Sequence, residues 1–407
     1  MPVKEPLYDW ERIERKESMQ RRRQREQEIR KKEQISRKAA KGKPDVPFLV
    51  LVLLLLIIGL IMLLSASFPY AEQTYGTPYH YFIRQLIFSG VGLFAMLSIG
   101  KINYERFRGV SRIAVIVAVG LLILVIIPGV GITRNNATRW LGFGETLTFQ
   151  PSEIAKIAVI LYFADTISHK RERMESFREG VLPFAGLLVL IGGLMMLEPH
   201  LSGTVLIVAT GVIMLIIGGI RMRWVLGGGV LFGAAVYVLI GKLGYGASRI
   251  AMWLDPWQDT TNDGYQMCQS LISIGSGGLF GLGLGRSRQK YMYLPERQND
   301  FIFAIVCEEL GFIGACLIIL LFMALILRGF WIALRARDRF GTLLTVGIMS
   351  LFSLQTFMNI AVVTGLIPCT GISLPLFSYG GTALTLQLAE MGLVLSVSRQ
   401  IRPPRAE

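Results

Sequence analysis

An all-α integral membrane protein of ten transmembrane helices, with a large extracytoplasmic loop between the seventh and eighth, is the fold class the sequence predicts. Two observations carry that expectation. Only 17% of the 407 residues are charged while 52% are hydrophobic, whereas soluble domains carry about 25% charged residues. Uncharged apolar runs also recur along the chain, beginning with "VPFLVLVLLLLIIGLIMLLSAS". Such a run of roughly 20 residues fits a hydrocarbon core of about 30 Å. A buried core helix can be this apolar once, but not ten times in one chain. The first run reads as a span and not a signal peptide, because a highly charged stretch precedes it and no small-residue cleavage site closes it.

The ten spans are expected to begin near Pro47, Tyr81, Ile113, Pro151, Val181, Leu201, Trp224, Asp300, Gly341 and Leu374. Lys and Arg in the short connections set the orientation. "GKINYERFRGVSR", "HKRERMESFREG", "RMRW", "RGFWIALRARDRFG" and the terminal "RQIRPPR" are basic, while "PYAEQTYGTPYH" and "PCTGIS" lack Lys and Arg. This alternation puts both termini in the cytoplasm. Two outer connections break the pattern, one with Arg134 and Arg139, the other, 242–299, with Lys242, Arg249, Arg286, Arg288, Lys290 and Arg297. Long loops escape the topology rule, so these cations call for another explanation.

The expected organisation is a basic tail over 1–46, a ten-span domain over 47–401 and a short cytoplasmic end over 402–407. Met1 to Lys43 holds 15 Lys or Arg against 8 Asp or Glu, with only isolated apolar residues. Too few apolar groups are present to form a core, so the tail reads as a disordered arm or surface helix. It suits anionic lipid headgroups or a cytoplasmic partner. Nucleic acid is not indicated, because no aromatic residue interleaves the basic run over 15–43. The cysteines Cys268, Cys307, Cys316 and Cys369 show neither paired nor metal-ligand spacing. The three histidines, His80, His169 and His200, are scattered. Nucleotide-binding patterns and GxSxG are absent from the sequence.

What remains is polar residues at membrane depth, where ionisable groups are costly and mark function by default. "ATRWLGFGETLTFQPSEIAK" places Arg139, Glu145, Gln150, Ser152, Glu153 and Lys156 around the start of the fourth span. Ser152 is expected to cap that helix after Pro151, and Glu153 favours its dipole. Lys156 lies one turn on, where an internal pair with Glu153 is the plain structural alternative. "LEPHLSG" adds Glu198, and "SLPLFSYGGTAL" supplies Ser378 and Tyr379. "LPERQNDFIFAIVCEELGFIG" turns from a polar loop into an apolar helix, with Asp300 at the turn and Glu308 and Glu309 two helical turns deeper. Cationic groups gathered around a carboxylate suit a substrate bearing phosphates and hydroxyls.

Four stretches, "RWLGFGETLTFQPSEIAK", "GYQMCQSLISIGSGGLFGLGLG", "LPERQNDFIFAIVCEELGFIG" and "GISLPLFSYGGTAL", resemble the signatures of the SEDS family of FtsW, RodA and SpoVE proteins. The resemblance covers 47–401, and the charged tail and "EPHLSGTVLI" are more like the FtsW/SpoVE branch. It implies a peptidoglycan glycosyltransferase that polymerises lipid II at the outer face of the bacterial plasma membrane during division. It also implies a class B penicillin-binding protein as partner, with other division proteins reached through the tail. The family's essential aspartate falls on Asp300. Where the family usually reads His-Thr before it, this chain reads Gln298-Asn299, which removes a histidine but leaves the carboxylate. The Arg-Trp pair falls on Arg139 and Trp140, and the lysine of "PSEIAK" on Lys156. Gln150, Glu153, Arg249, Gln269, Glu296, Ser378 and Tyr379 complete the expected substrate-binding set.

In that chemistry one carboxylate serves as base while an inverting displacement releases undecaprenyl pyrophosphate. Positive charge must meet the leaving group. A divalent cation, Mg or Mn, would be held by the substrate's own oxygens, because no dedicated cage of carboxylates is legible. A lipid II flippase and a non-catalytic division scaffold are the rival classes. Transport predicts polar residues reaching the cytoplasmic side, and a scaffold leaves the outer charged clusters unexplained.

Overall fold

The computed structural model describes residues 42–134, 137–143, 147–170, 174–241, 247–262 and 264–401. The basic tail up to residue 41, Glu145, Lys242 and the C-terminal 402–407 lie outside the described residues. The long helices follow the apolar runs in order: α1 (Val46–Tyr75), α2 (His80–Ile99), α3 (Ser111–Ile126), α4 (Pro151–His169), α5 (Leu182–Leu197), α6 (Leu201–Gly218) and α7 (Met222–Gly241). After the short helices α8 (Ala247–Leu254) and α9 (Tyr265–Gly277) come α10 (Ile302–Leu334), α11 (Arg339–Val363) and α12 (Gly381–Ser398). Among the described residues, 8 helices are long and apolar enough to cross a membrane. Helix α4 is not one of them, since its 19 residues include Glu153, Lys156 and Asp165.

Helix α11 is central, packed against α4, α6 and α10, while α12 lies along α2. Large side chains such as Phe94, Ile116 and Val189 point outward from the bundle, as expected where lipid replaces water as the solvent. At one end Asp45 caps α1 by accepting from the Phe48 N–H at 2.9 Å. Its carboxylate also takes a two-pronged bond from Arg328 at 2.7 and 2.9 Å, joining α1 to α10.

The fold departs from the sequence expectation at three places. Residues 132–149 form a three-stranded antiparallel sheet, β1 (Ile132–Arg134), β2 (Ala137–Phe143) and β3 (Leu147–Phe149). Ile132 pairs with Trp140, and Leu141 with Phe149. Scanning for long apolar runs passes over this segment, because its β-branched and aromatic residues alternate with polar ones. The tenth helix begins at Gly381 and not near Leu374. Pro375 and Gly380 interrupt the run, and Leu376 takes a left-handed φ of 65°, so 373–380 is an irregular link.

The 242–299 connection is also not a plain outer loop. Helix α9 packs against α10, and the chain then folds back along it. Phe312 N–H donates to Gly278 O at 2.9 Å, and Leu282 N–H donates to Glu308 O at 2.9 Å. Helix α10 breaks at Gly311 (φ 68°, ψ −172°) to allow this approach. A Cβ there would stand 2.2 Å from Gly281 N, so only glycine fits.

Glu308 and Glu309 hold this fold-back in place and are not part of a carboxylate group with Asp300. Glu308 is fully buried and accepts from Ser287 Oγ at 2.5 Å, Arg288 N–H at 2.8 Å and Ser273 Oγ at 3.1 Å. Glu309 pairs with buried Lys290 at 3.0 Å and accepts from Ser65 Oγ of α1 at 2.7 Å. Arg297 is likewise buried, donates to Leu294 O at 2.9 Å and stacks over the Tyr70 ring. Two of the loop cations that the topology rule left unexplained are therefore internal braces.

Candidate active site

Asp300 sits on the turn that feeds α10. Its neighbours are pinned to the irregular link before α12. Tyr379 N–H donates to Gln298 O at 2.8 Å, and Ser378 Oγ donates to Asn299 O at 2.6 Å. From α11, Asn359 Nδ2 donates to both Asp300 O and Ile372 O at 2.7 Å. Buried backbone carbonyls require such partners, and meeting that need here fixes three successive residues. The positions where the family usually reads His-Thr contribute main-chain carbonyls, which any residue supplies. Asn299 adds a bond from its Nδ2 to Glu296 Oε2 at 2.5 Å.

The Asp300 carboxylate, by contrast, has no hydrogen bond or ion pair with any described side chain or backbone group. Gly371 leaves room beside it, since a Cβ there would lie 3.2 Å from Oδ2, and its φ of 68° favours glycine. Removal from water, followed by repulsion from Glu296, raises the Asp300 pKa to about 7, with Arg139 pulling the other way. Arg249 on α8 reaches the same place, its Nη1 3.5 Å from Cys369 O, and Cys369 is within electrostatic reach of Asp300.

A second group forms where β2 meets the turn between α5 and α6. Arg139 Nε donates to Glu198 O at 3.0 Å, and its Nη2 donates to Pro199 O. Trp140 follows it on β2. Gln150 Nε2 lies 3.3 Å from His200 Nδ1. Burial, then Arg139 and Lys156, lower the His200 pKa to about 3, so this imidazole is neutral. The Glu198 carboxylate is buried without a described hydrogen-bond partner, and desolvation raises its pKa to about 8 despite Arg139. Arg139 thus links this group to Asp300, influencing the charge state of both.

Lys156 is 5% exposed and donates to Glu153 at 2.7 Å, so the internal pair is formed. Glu390 of α12, which the sequence reading passed over, is buried within electrostatic reach of both. Ser152 does not cap α4. Pro151 takes the first helical position after Gln150, and the Ser152 hydroxyl is buried without a described partner. Gln269 lies on α9 and no described contact joins it to Asp300. Asn359, Gly371 and Cys369 were also not singled out from the sequence. Asn359 in "FMNIAVV" carried a usable signal, an amide inside an apolar helix. Among the described residues no three His, Cys, Asp or Glu side chains converge as metal ligands.

The signature stretches therefore meet in space. A family profile described as "Cell cycle protein", covering FtsW, RodA and SpoVE, matches residues 46–403. The chain belongs to the FtsW/RodA/SpoVE family. It is 44% identical to stage V sporulation protein E of Bacillus subtilis over 362 residues, 89% of this chain and 99% of that protein. It is 37% identical over 358 residues to a probable peptidoglycan glycosyltransferase FtsW of Geobacter metallireducens, covering 88% and 95% of the two chains. Among solved structures it resembles a chain from work described as "Structural coordination of polymerization and crosslinking by a peptidoglycan synthase complex". The TM-score is 0.74 at 27% identity, over 88% of this chain and 98% of that one. The rod shape determining protein RodA of Thermus thermophilus gives a TM-score of 0.66 at 27% identity, over 88% and 98%. Of the four signature stretches, the first, third and fourth meet around Asp300, while 264–285 packs along α10 beside Glu308 and Glu309.

Proposed function

We propose that this family member is a peptidoglycan glycosyltransferase that polymerises lipid II during cell division, with Asp300 as its general base. The observation that carries the reading is an unpartnered, desolvated carboxylate on a backbone held at three consecutive carbonyls. A base needs that rigidity and a pKa close to the working pH.

In the reaction, the 4-hydroxyl of one lipid II attacks the anomeric carbon of another glycan carrier. The new C–O bond forms as the anomeric carbon–phosphate oxygen bond breaks. The hydroxyl proton passes to Asp300, and the bonding pair leaves with undecaprenyl pyrophosphate. Arg249, and the Arg139 guanidinium through its field, supply positive charge beside that departing diphosphate. A divalent cation would ride on the diphosphate oxygens, since the described residues form no cage for one. The proposed topology is ten spans, both termini cytoplasmic and Asp300 on the outer side. A class B penicillin-binding protein is the proposed partner, supported by the likeness to a chain of a peptidoglycan synthase complex.

Purified chain plus lipid II, with and without the cognate transpeptidase, tests the function by glycan strands on a gel. Strands in either condition support it. Movement of lipid II between vesicle leaflets without strands would favour transport. A pH series on the same reaction carries a signed expectation. Because the Asp300 pKa is raised to about 7, the base form grows as pH rises, so turnover climbs through pH 7 and levels off above it. A flat profile from pH 5.5 to 8.5 contradicts the assignment. Deleting Met1 to Lys43 is expected to leave polymerisation in detergent unchanged, since the tail lies across the bilayer from Asp300. Lost activity after that deletion would contradict the proposed topology.

A further inference from the structure

The folded-back segment after α9 has an outer face that the reaction above does not use. A groove of about 710 Å³ is lined by Arg286, Ser287, Arg288, Gln289, Tyr291 and Tyr293. Among the described residues neither Arg286 nor Arg288 has an acidic partner, and both side chains are exposed. Lys290 of the same turn, by contrast, is buried and paired with Glu309. The groove floor is rigid, because Ser287 N–H donates to Glu309 at 3.2 Å and Arg288 N–H to Glu308 at 2.8 Å.

Two helices set the depth of this groove. Ser65, which bonds Glu309, is nineteen residues past the start of α1, about 28 Å at the helical rise of 1.5 Å. From Gly311 to the end of α10 at Leu334 is about 35 Å by the same rise. A hydrocarbon core is about 30 Å thick, so Glu308 and Glu309 lie at its outer edge. The groove beside them lies at headgroup level. Phe280 at the turn of the fold-back is 80% exposed, and Tyr291 and Tyr293 line the groove, residue types that suit a headgroup-level surface.

Asp300 is further out. From Ile302 at the top of α10 to Glu308 is six residues, roughly 10 Å along the axis. That is the length of a disaccharide. The base takes its proton from the acceptor sugar, whose diphosphate is at the opposite end of the disaccharide. The donor's diphosphate leaves from the reacting carbon itself and stays at the level of Asp300. We infer that the Arg286–Arg288 groove is the diphosphate subsite of the acceptor lipid II, holding it at headgroup level while its terminal sugar reaches Asp300. Two guanidinium groups suit a diphosphate through forked, charge-assisted bonds. The inference rests on the proposed polymerase reading and on its outer-side placement of Asp300.

The test uses the full chain in nanodiscs. Wild type, Arg286→Gln/Arg288→Gln and Arg286→Lys/Arg288→Lys are titrated with lipid II and, separately, with phosphatidylglycerol as competitor. The expected result is lipid II binding weakened by about 100-fold or more in the glutamine variant, the loss of roughly two charge-assisted bonds. The lysine variant, which keeps the charge but not the fork, should fall between the two, melting temperatures should match, and phosphatidylglycerol should not compete. Polymerisation by the glutamine variant should fall at low lipid II and recover as its concentration rises. Unchanged lipid II affinity overturns the inference, and so does equal competition by phosphatidylglycerol, which would make the groove a general phospholipid site. If wild type makes no glycan while the glutamine variant still loses lipid II affinity, the polymerase reading fails and with it the acceptor role, leaving the groove a lipid II diphosphate site.

Discussion

Asp300→Asn is expected to abolish glycan synthesis. The amide keeps the size of the carboxylate but lacks the lone pair that accepts the hydroxyl proton, and general-base catalysis contributes about 10²- to 10⁴-fold. Asp300→Glu should also be badly impaired. The turn is fixed by Asn359, Ser378 and Tyr379, so the backbone cannot retreat to absorb an added methylene. A shift of about 1 Å in a reacting group can cost about 100-fold. Neither change should unfold the protein, because the side chain makes no hydrogen bond or ion pair among the described residues that would be lost. The linkage even runs the other way. With its pKa raised from 3.8 to about 7, the carboxyl favours its neutral form in the fold. Its contribution to stability is present at low pH and is lost as pH rises toward 7. At pH 8 the Asn variant should melt no lower than wild type.

The largest stability effect is expected at Glu309. Its pair with Lys290 is closed to solvent, both residues being under a tenth exposed. Glu309→Ala leaves Lys290 as a buried, uncompensated cation and frees the Ser287 N–H and the Ser65 hydroxyl. Breaking one side of a buried pair costs about 3–5 kcal/mol. The folded-back segment should detach from α10, visible as rapid amide exchange over residues 278–294 together with a lower melting temperature. Replacing both partners by apolar residues, Glu309→Leu with Lys290→Met, should restore much of the loss, since an apolar pair of similar size carries no desolvation penalty. If the double variant is no more stable than Glu309→Ala, the pair holds the segment by something other than charge.

Much of the helical frame was legible because lipid imposes one simple rule: apolar runs of a given length become helices. That rule found the starts of α1, α4 and α6 to within a residue. It fails where burial inside the protein replaces contact with lipid. The sheet of residues 132–149 follows a two-residue period, and the link over 373–380 depends on Pro375, Gly380 and contacts to Gln298 and Asn299 from far along the chain. Glu308 and Glu309 show the same limit. As a sequence pattern they resemble Asp300, a carboxylate at the edge of an apolar helix, yet they end in a closed network while Asp300 stays open. Only the fold-back of residues 278–290, made possible by Gly281 and Gly311, separates the two cases. Ser152 had the residue type of a cap but lost that place to Gln150 and Pro151. Arg139 was legible as a cation near the site but not as a group already engaged with backbone carbonyls, whereas the Lys156–Glu153 pair was legible from its spacing.

The central claim is that Asp300 acts in the chemical step and not in holding the structure. One preparation of Asp300→Asn decides it, measured for lipid II affinity alongside glycan synthesis and melting temperature. A variant that folds at the wild-type temperature, binds lipid II within about threefold of wild type and makes no glycan is the predicted result. A variant whose lipid II affinity and melting temperature fall in proportion to its activity would contradict it.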